Sequence, residues 1–231
     1  MSDPTILLVH GAWHGAWCWD AVIPLLEAKG RAVRAIDLPT VHAPNKAELG
    51  LADDVKAVTD AVAAIDGPVV VVAHSYGGVP TTQALAGASN VQHIVDIAAF
   101  ALDAGESLLG AVGGVPPTWW MVDGPLTTAG NAAEPAESLF FNDVPDDLAH
   151  ATAARLLSQA TKPFGEAITA AAWATIPSTY VITERDNVFP VFAQEALSGR
   201  AGSTVHRLDT SHSPFLSQPE ATAAIIDAAG R

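Results

Sequence analysis

Six short runs of apolar, largely β-branched residues recur along the chain, at Thr5 to His10, Arg31 to Asp37, Pro68 to His74, Val91 to Ala99, Ser178 to Thr183 and Thr204 to Leu208. Their length and composition read as buried strands. Segments with helical spacing lie between them, at Trp19 to Lys29, Leu51 to Ile65, Gly77 to Leu85 and Pro219 to Ala229. Strand and helix in alternation predict an α/β protein: a mostly parallel sheet with helices on both faces. Gly30 and Gly67 close helices, and Ser217 with Pro219 and Glu220 opens the last one in the manner of a capping box.

The segment from Asp103 to Trp173 breaks this rhythm. It carries several Gly and Pro residues, the pair Trp119 and Trp120, and a helical stretch from Asp146 to Gln159. An insertion of this length in a compact domain is expected to act as a lid or binding element. The whole chain, 231 residues with 49% hydrophobic content, fits one domain, residues 1–231, with the insertion at 103–173 inside it.

Composition narrows the function classes. The apolar stretches Val69 to Ala73 and Ile94 to Leu102 are far shorter than the roughly 20 residues of a membrane helix, and no cationic, cleavable leader precedes Ile6. The expected location is the cytoplasm. A single cysteine, Cys18, excludes an internal disulfide and any Cys-based zinc site. The net charge of −14, with only 11 Lys plus Arg, offers no basic stripe for nucleic acid and discourages anionic substrates at long range.

The chemistry concentrates in Ala73-His74-Ser75-Tyr76-Gly77-Gly78, between a strand and a helix. In that context a GxSxG-type elbow has physical meaning: the serine is strained, so residues two positions away must be small. Ala73 and Gly77 meet the requirement, with Ala73 in place of the commoner glycine. The elbow points the Ser75 hydroxyl out of the carboxyl edge of the sheet and leaves the Tyr76 N–H at a helix start, facing an incoming oxyanion.

A serine hydroxyl needs a histidine to take its proton and a carboxylate to fix that histidine. Of eight histidines, His212 lies in a polar loop after the last strand and before the last helix. His10 and His74 read as packing or supporting groups, and His206 belongs to a strand. Asp186 follows the strand Ser178 to Thr183, ahead of its rivals Glu184 and Asp209. Ser75, Asp186 and His212 stand in the chain order of the α/β-hydrolase triad. The second oxyanion donor is expected from the loop after the first strand, at Ala12, with Gly11 leaving room for the nucleophile. Gly11, Trp13, Trp119, Trp120, Met121 and Phe215 are the expected pocket residues, and Trp17 and Trp19 are expected in the core.

These segments resemble a known group: plant methyl esterases of the salicylate- and jasmonate-ester type, hydroxynitrile lyases and bacterial esterase relatives. The likeness spans most of the chain and is carried by His10-Gly11-Ala12-Trp13-His14-Gly15-Ala16-Trp17, the elbow, Phe141-Asn142-Asp143-Val144-Pro145, Thr183 to Phe189 and the surroundings of His212. It implies the α/β-hydrolase fold, a cofactor-free and metal-free enzyme, the triad above, and oxyanion donors at Ala12 and Tyr76. The lyases of the group carry a hydroxylated residue at the place of Gly11 and a lysine at that of Ser213, so the departures favour ester hydrolysis. The group's common aspartate at the end of the fourth strand is Ala98 here, which leaves Asp96 or Asp103 as the only substitutes and favours Asp186. The expected function is a serine carboxylesterase for small, largely apolar esters; a cofactor-free lyase and a non-catalytic small-molecule receptor are the alternatives. The expected partner is a small ester, with neither nucleic acid nor membrane, and a homodimer is compatible with the sequence.

Overall fold

The computed structural model describes residues 3–231. Among the described residues nine strands form, in chain order β1 Thr5–Val9, β2 Val33–Ile36, β3 Val69–His74, β4 Val91–Ile97, β5 Trp120–Asp123, β6 Leu126–Ala129, β7 Gln159–Ala160, β8 Ser178–Thr183 and β9 Thr204–Leu208. Six of them make one sheet in the order β2-β1-β3-β4-β8-β9, with every neighbouring pair parallel. The α/β expectation therefore holds, strand by strand. β3 and β8 are buried along their whole length, as strands covered on both faces must be.

Successive residues of the central strands feed opposite cores. Leu7, Val9, Val69 and Val71 face one cluster with the helices Leu51–Ala63 and Gly78–Ala84, while Ile6, Leu8, Val70 and Val72 face another with Trp19, Leu26 and Ile226. Trp19 is fully buried; Trp17 is only partly so, lying under the Arg155 guanidinium, 4.4 Å from the ring centroid.

Several local boundaries differ from the sequence reading. The segment Trp19 to Lys29 yields a 3-10 turn, Ala16–Trp19, and a helix of only five residues, Ile23–Glu27. The stretch Asp146 to Gln159 is helical only to Ala153, and Gln159 instead pairs in β7. The last helix, Pro219–Ala229, starts without a side-chain cap, and the Ser217 hydroxyl is buried without a partner. The residue that flanks the helix is Gln218 rather than Ser217, and Pro219, whose ring presets the backbone for the first turn, opens it.

Between β4 and β8 the chain leaves the large sheet and builds an antiparallel three-stranded sheet, β5-β6-β7, with short helices around it. It lies against the loop after β1: Leu157 N–H donates to Trp13 O at 2.9 Å, and the Trp13 indole N–H donates to Thr127 O at 3.2 Å.

Candidate active site

β3 ends at His74, and Ser75 follows at φ +52, in the left-handed region that non-glycine residues avoid. A 3-10 turn, Ser75–Gly77, then leads into the helix Gly78–Ala84. Only glycine fits at position 77, because a Cβ there would lie 2.5 Å from His10 O. The turn is tied to the end of β4 by Phe100 N–H donating to Ser75 O at 3.1 Å. Ser75 itself is 7% exposed and lines a cavity.

Asp186 and His212 come together in a fully buried pair, with His212 Nδ1–H donating to Asp186 Oδ2 at 2.7 Å. Four further donors converge on that carboxylate: Thr183 Oγ1 at 2.7 Å, the Val188 and Phe189 amides at 2.8 Å each, and Gln194 Nε2 at 3.2 Å. Such a set holds an ionised carboxylate in one orientation. With its proton on Nδ1, His212 keeps a lone pair on Nε2, which is buried and has no hydrogen-bond partner among the described residues. No hydrogen bond joins it to Ser75 here; in unliganded sites such bonds are often long until substrate is bound. Glu184 instead pairs with Arg207 at the surface, and the exposed Asp209 pairs with Arg185 at 2.9 Å. Asp96 is buried in the sheet, where desolvation pushes its pKa up to about 7, and Asp103 is exposed.

The Ala12 and Tyr76 amides have no intramolecular hydrogen bond among the described residues. Both residues line the Ser75 cavity, together with Trp13, Phe100, Trp119, Trp120 and Phe164. The cavity volume is about 30 Å³, room for about one water. The rings lock its roof: Trp13 meets Trp119 at 5.6 Å, Trp120 at 5.5 Å and Phe164 at 5.7 Å between centroids.

Two expected pocket residues lie elsewhere, and a third, Gly11, adjoins Ser75 without forming a wall. Met121 is 46% exposed, because side chains alternate along β5 and its neighbour Trp120 takes the inward face. Phe215 is buried behind the site, 4.9 Å from the His74 ring and 5.1 Å from Trp19. Gly11 works by what it lacks: a Cβ there would stand 2.7 Å from His74 Nδ1 and 2.9 Å from Ser75 Cβ.

The supporting histidines have resolvable tasks. His74 Nε2–H donates to the His212 carbonyl at 2.8 Å; its burial, and next the nearby His212, hold its pKa well below the ordinary value. His10 Nδ1–H donates to Gly11 O and His14 Nδ1–H to Ala12 O, both at 2.7 Å. Burial lowers these two to about 4 and about 3, so both are neutral. His10, Asp37 and His42 cluster closely enough to suggest a metal site. His10 has no lone pair to give it, since Nδ1 donates to Gly11 and Nε2 accepts from Leu38 N–H at 2.9 Å. Two further residues that no sequence motif marks as catalytic support the site: Gln194, which donates to Asp186, and Asp143, whose Oδ2 accepts from Ser211 N–H at 2.8 Å and so fixes the His212 loop. The only signal for Asp143 was its place in Phe141-Asn142-Asp143.

The fold and this constellation define the class. Residues 6–225 match the alpha/beta hydrolase family, and the chain belongs to it. A probable hydrolase of the fungus Phoma is 32% identical over 98% of each chain. A pyrethroid hydrolase of Sphingobium wenxiniae is 29% identical over 98% of this chain and 87% of its own. The crystal structure of a pyrethroid hydrolase from Sphingobium faniae superposes with a TM-score of 0.83 at 26% identity, covering 98% of this chain and 97% of that one.

Proposed function

We propose that the protein is a serine carboxylesterase that hydrolyses small, largely apolar esters through an acyl-enzyme on Ser75. The observation that carries this reading is the buried Asp186–His212 pair, whose free Nε2 lone pair lies in the loop held by His74, the residue before Ser75. The names of the relatives, hydrolases and, among others, a putative methylesterase of Arabidopsis thaliana, support the same reaction class.

His212 Nε2 takes the Ser75 proton as the hydroxyl oxygen bonds to the ester carbonyl carbon. The tetrahedral oxyanion is held by the Ala12 and Tyr76 N–H groups. The imidazolium, stabilised by Asp186, returns its proton to the departing alcohol. Water, activated by the same imidazole, then attacks the acyl carbonyl; the carboxylic acid leaves and Ser75 regains its proton. We read the chain as one domain in which segment 103–173 is a lid, active in the cytoplasm of a bacterium.

The environment of Gly11 favours hydrolysis over cyanohydrin cleavage, because His74 and Ser75 occupy the space a hydroxylated side chain at that position would need. Ser213, buried and uncharged, cannot serve as a cation for a cyanide leaving group.

The test is intact mass after exposure to a fluorophosphonate, together with turnover of p-nitrophenyl esters of increasing acyl length. Labelling and activity should be lost together in Ser75→Ala, with at least a thousandfold lower turnover, well within the loss of about a millionfold that removal of a serine nucleophile causes elsewhere. A folded wild type that is neither labelled nor active would sink the esterase reading and favour a receptor.

A further inference from the structure

The two amides given to the oxyanion sit on separate loops, after β1 and after β3, yet one buried chain of hydrogen bonds joins those loops. The N–H of Trp13, next to Ala12, donates to Gln159 Oε1 at 3.1 Å. Gln159 Nε2–H donates to Thr40 Oγ1 at 3.1 Å. The Thr40 hydroxyl donates to Asp54 Oδ2 at 2.6 Å and its amide donates to Oδ1 at 3.0 Å. The Tyr76 hydroxyl closes the chain on Asp54 Oδ2 at 2.7 Å. Thr40, Asp54, Tyr76 and Gln159 are all 0% exposed, so no water competes for these bonds.

The chain has only one direction. An ionised Asp54 accepts and cannot donate, so both Thr40 and Tyr76 must give it their protons. Thr40 Oγ1 is then left with a lone pair for the Gln159 amide, which turns Gln159 Oε1 toward the Trp13 N–H. Burial pushes Asp54 up to about 6, which leaves the ionised form dominant at neutral pH.

What this chain restrains is a strained loop. Trp13 has φ +61, a conformation that a bulky residue holds only when its surroundings dictate it. Its N–H, carbonyl and indole N–H are bonded to Gln159, Leu157 and Thr127, all within segment 103–173. The flanking carbonyls of Gly11 and Ala12 are taken by His10 and His14. The peptide planes around the Ala12 amide are thus fixed from both sides.

We propose that Gln159 and Asp54 are positioning residues of the oxyanion hole, coupling the Ala12 amide to the Tyr76 amide, so that the inserted segment acts on the chemical step as well as on access. This rests on the esterase reading above. Donors aimed at a developing oxyanion act in the transition state more than in the bound ester, so disturbing them lowers kcat and spares KM.

The experiment compares wild type, Gln159→Leu, Asp54→Asn and Tyr76→Phe for p-nitrophenyl acetate turnover, for inhibition by phenylboronic acid and by acetate, and for thermal melting. Gln159→Leu and Asp54→Asn should lower kcat by about 30-fold, the scale of a donor displaced rather than deleted, with KM within about threefold. Phenylboronic acid, which forms a tetrahedral adduct on the serine, should weaken by a similar factor while acetate does not. Tyr76→Phe, which removes only a hydroxyl, should show the same pattern at about fivefold and serves where the other variants do not fold. An active wild type whose folded variants keep kcat and boronate affinity within twofold overturns the positioning roles alone. An inactive, unlabelled wild type overturns the esterase reading and this inference with it.

Discussion

The ends of β1, β3 and β8 and the loop after β9 are held by short polar contacts, whereas segment 103–173 above them meets the Ser75 cavity with aromatic rings. Five donors fix the Asp186 carboxylate, and Gly77 packs at a distance no other residue allows. Over the cavity, by contrast, Trp119, Trp120 and Phe164 enclose a volume of about 30 Å³ by ring packing. Reaction geometry tolerates errors well below an ångström, so it is built from directional bonds on rigid strand ends. Apolar recognition is non-directional, and a set of rings can be rearranged among relatives without disturbing the sheet.

The largest break in this comparison should come from Asp186→Asn. An amide there presents His212 Nδ1 with either a donor or a neutral acceptor, so the tautomer inverts or the imidazolium loses its counter-charge. We expect kcat to fall by about a thousandfold or more, as in other triads, in a protein that melts normally. A loss below tenfold would remove Asp186 from the triad.

Acidification should separate the two regions next. His10 and His14 are lowered to about 4 and about 3 by burial, and His74 lies well below its ordinary value for the same reason. Unfolded, each titrates near 6.5 and binds a proton that the folded form refuses, so their contribution is intact above pH 6.5 and is lost as pH falls toward 4. Asp54 and Asp96, raised to about 6 and about 7, act oppositely: folded, they hold protons that unfolding releases, so they favour the fold as pH falls. His14→Gln, which keeps a donor for Ala12 O, should therefore remove close to one proton from the pH dependence of unfolding between pH 6.5 and 4, about 2–3 kcal/mol over that window. Urea unfolding at several pH values measures it, and an unchanged slope would show that His14 does not govern acid stability.

Sequence legibility divides along the same line. The central strands could be read because burial on both faces forces unbroken apolar runs, and the turn at Ser75 because a strained strand-to-helix turn admits few residues. The pairing of Asp186 with His212 follows from which strand ends adjoin, which chain order had already indicated. Segment 103–173 was legible only as a departure. Its two-residue strand at Gln159 is too short to carry a period, and Gln159 gains its importance from Thr40 and Trp13, residues far away in sequence. Met121 was misplaced because, without knowing that β5 is a strand, the alternation that turns it outward cannot be applied.

Ring replacement in the roof should act on specificity more than on rate. Trp119 is 7% exposed and lines the cavity. Trp119→Ala removes an indole from the cavity wall, so esters with longer acyl chains should gain about tenfold in kcat/KM relative to the acetate ester, about what one or two extra buried methylenes contribute. An unchanged preference across the p-nitrophenyl ladder would mean that the acyl chain lies elsewhere.

Met121→Ala should do least, and it tests how sharply the roof divides into two faces. β5 pairs with β6 in antiparallel register, with Trp120 opposite Ala129 and Met121 opposite Thr128. Trp120 packs on Phe164 at 4.6 Å, toward Ser75, whereas Met121, on the opposite face of the strand, is 46% exposed. A half-exposed thioether that touches no cavity wall has little to lose, so kcat/KM should stay within about twofold for every ester and stability within about 0.5 kcal/mol. If Met121→Ala instead shifted acyl preference as Trp119→Ala does, substrate would have to reach the outer face of β5, and the division between an inner aromatic wall and an outer solvent face would not describe the working enzyme.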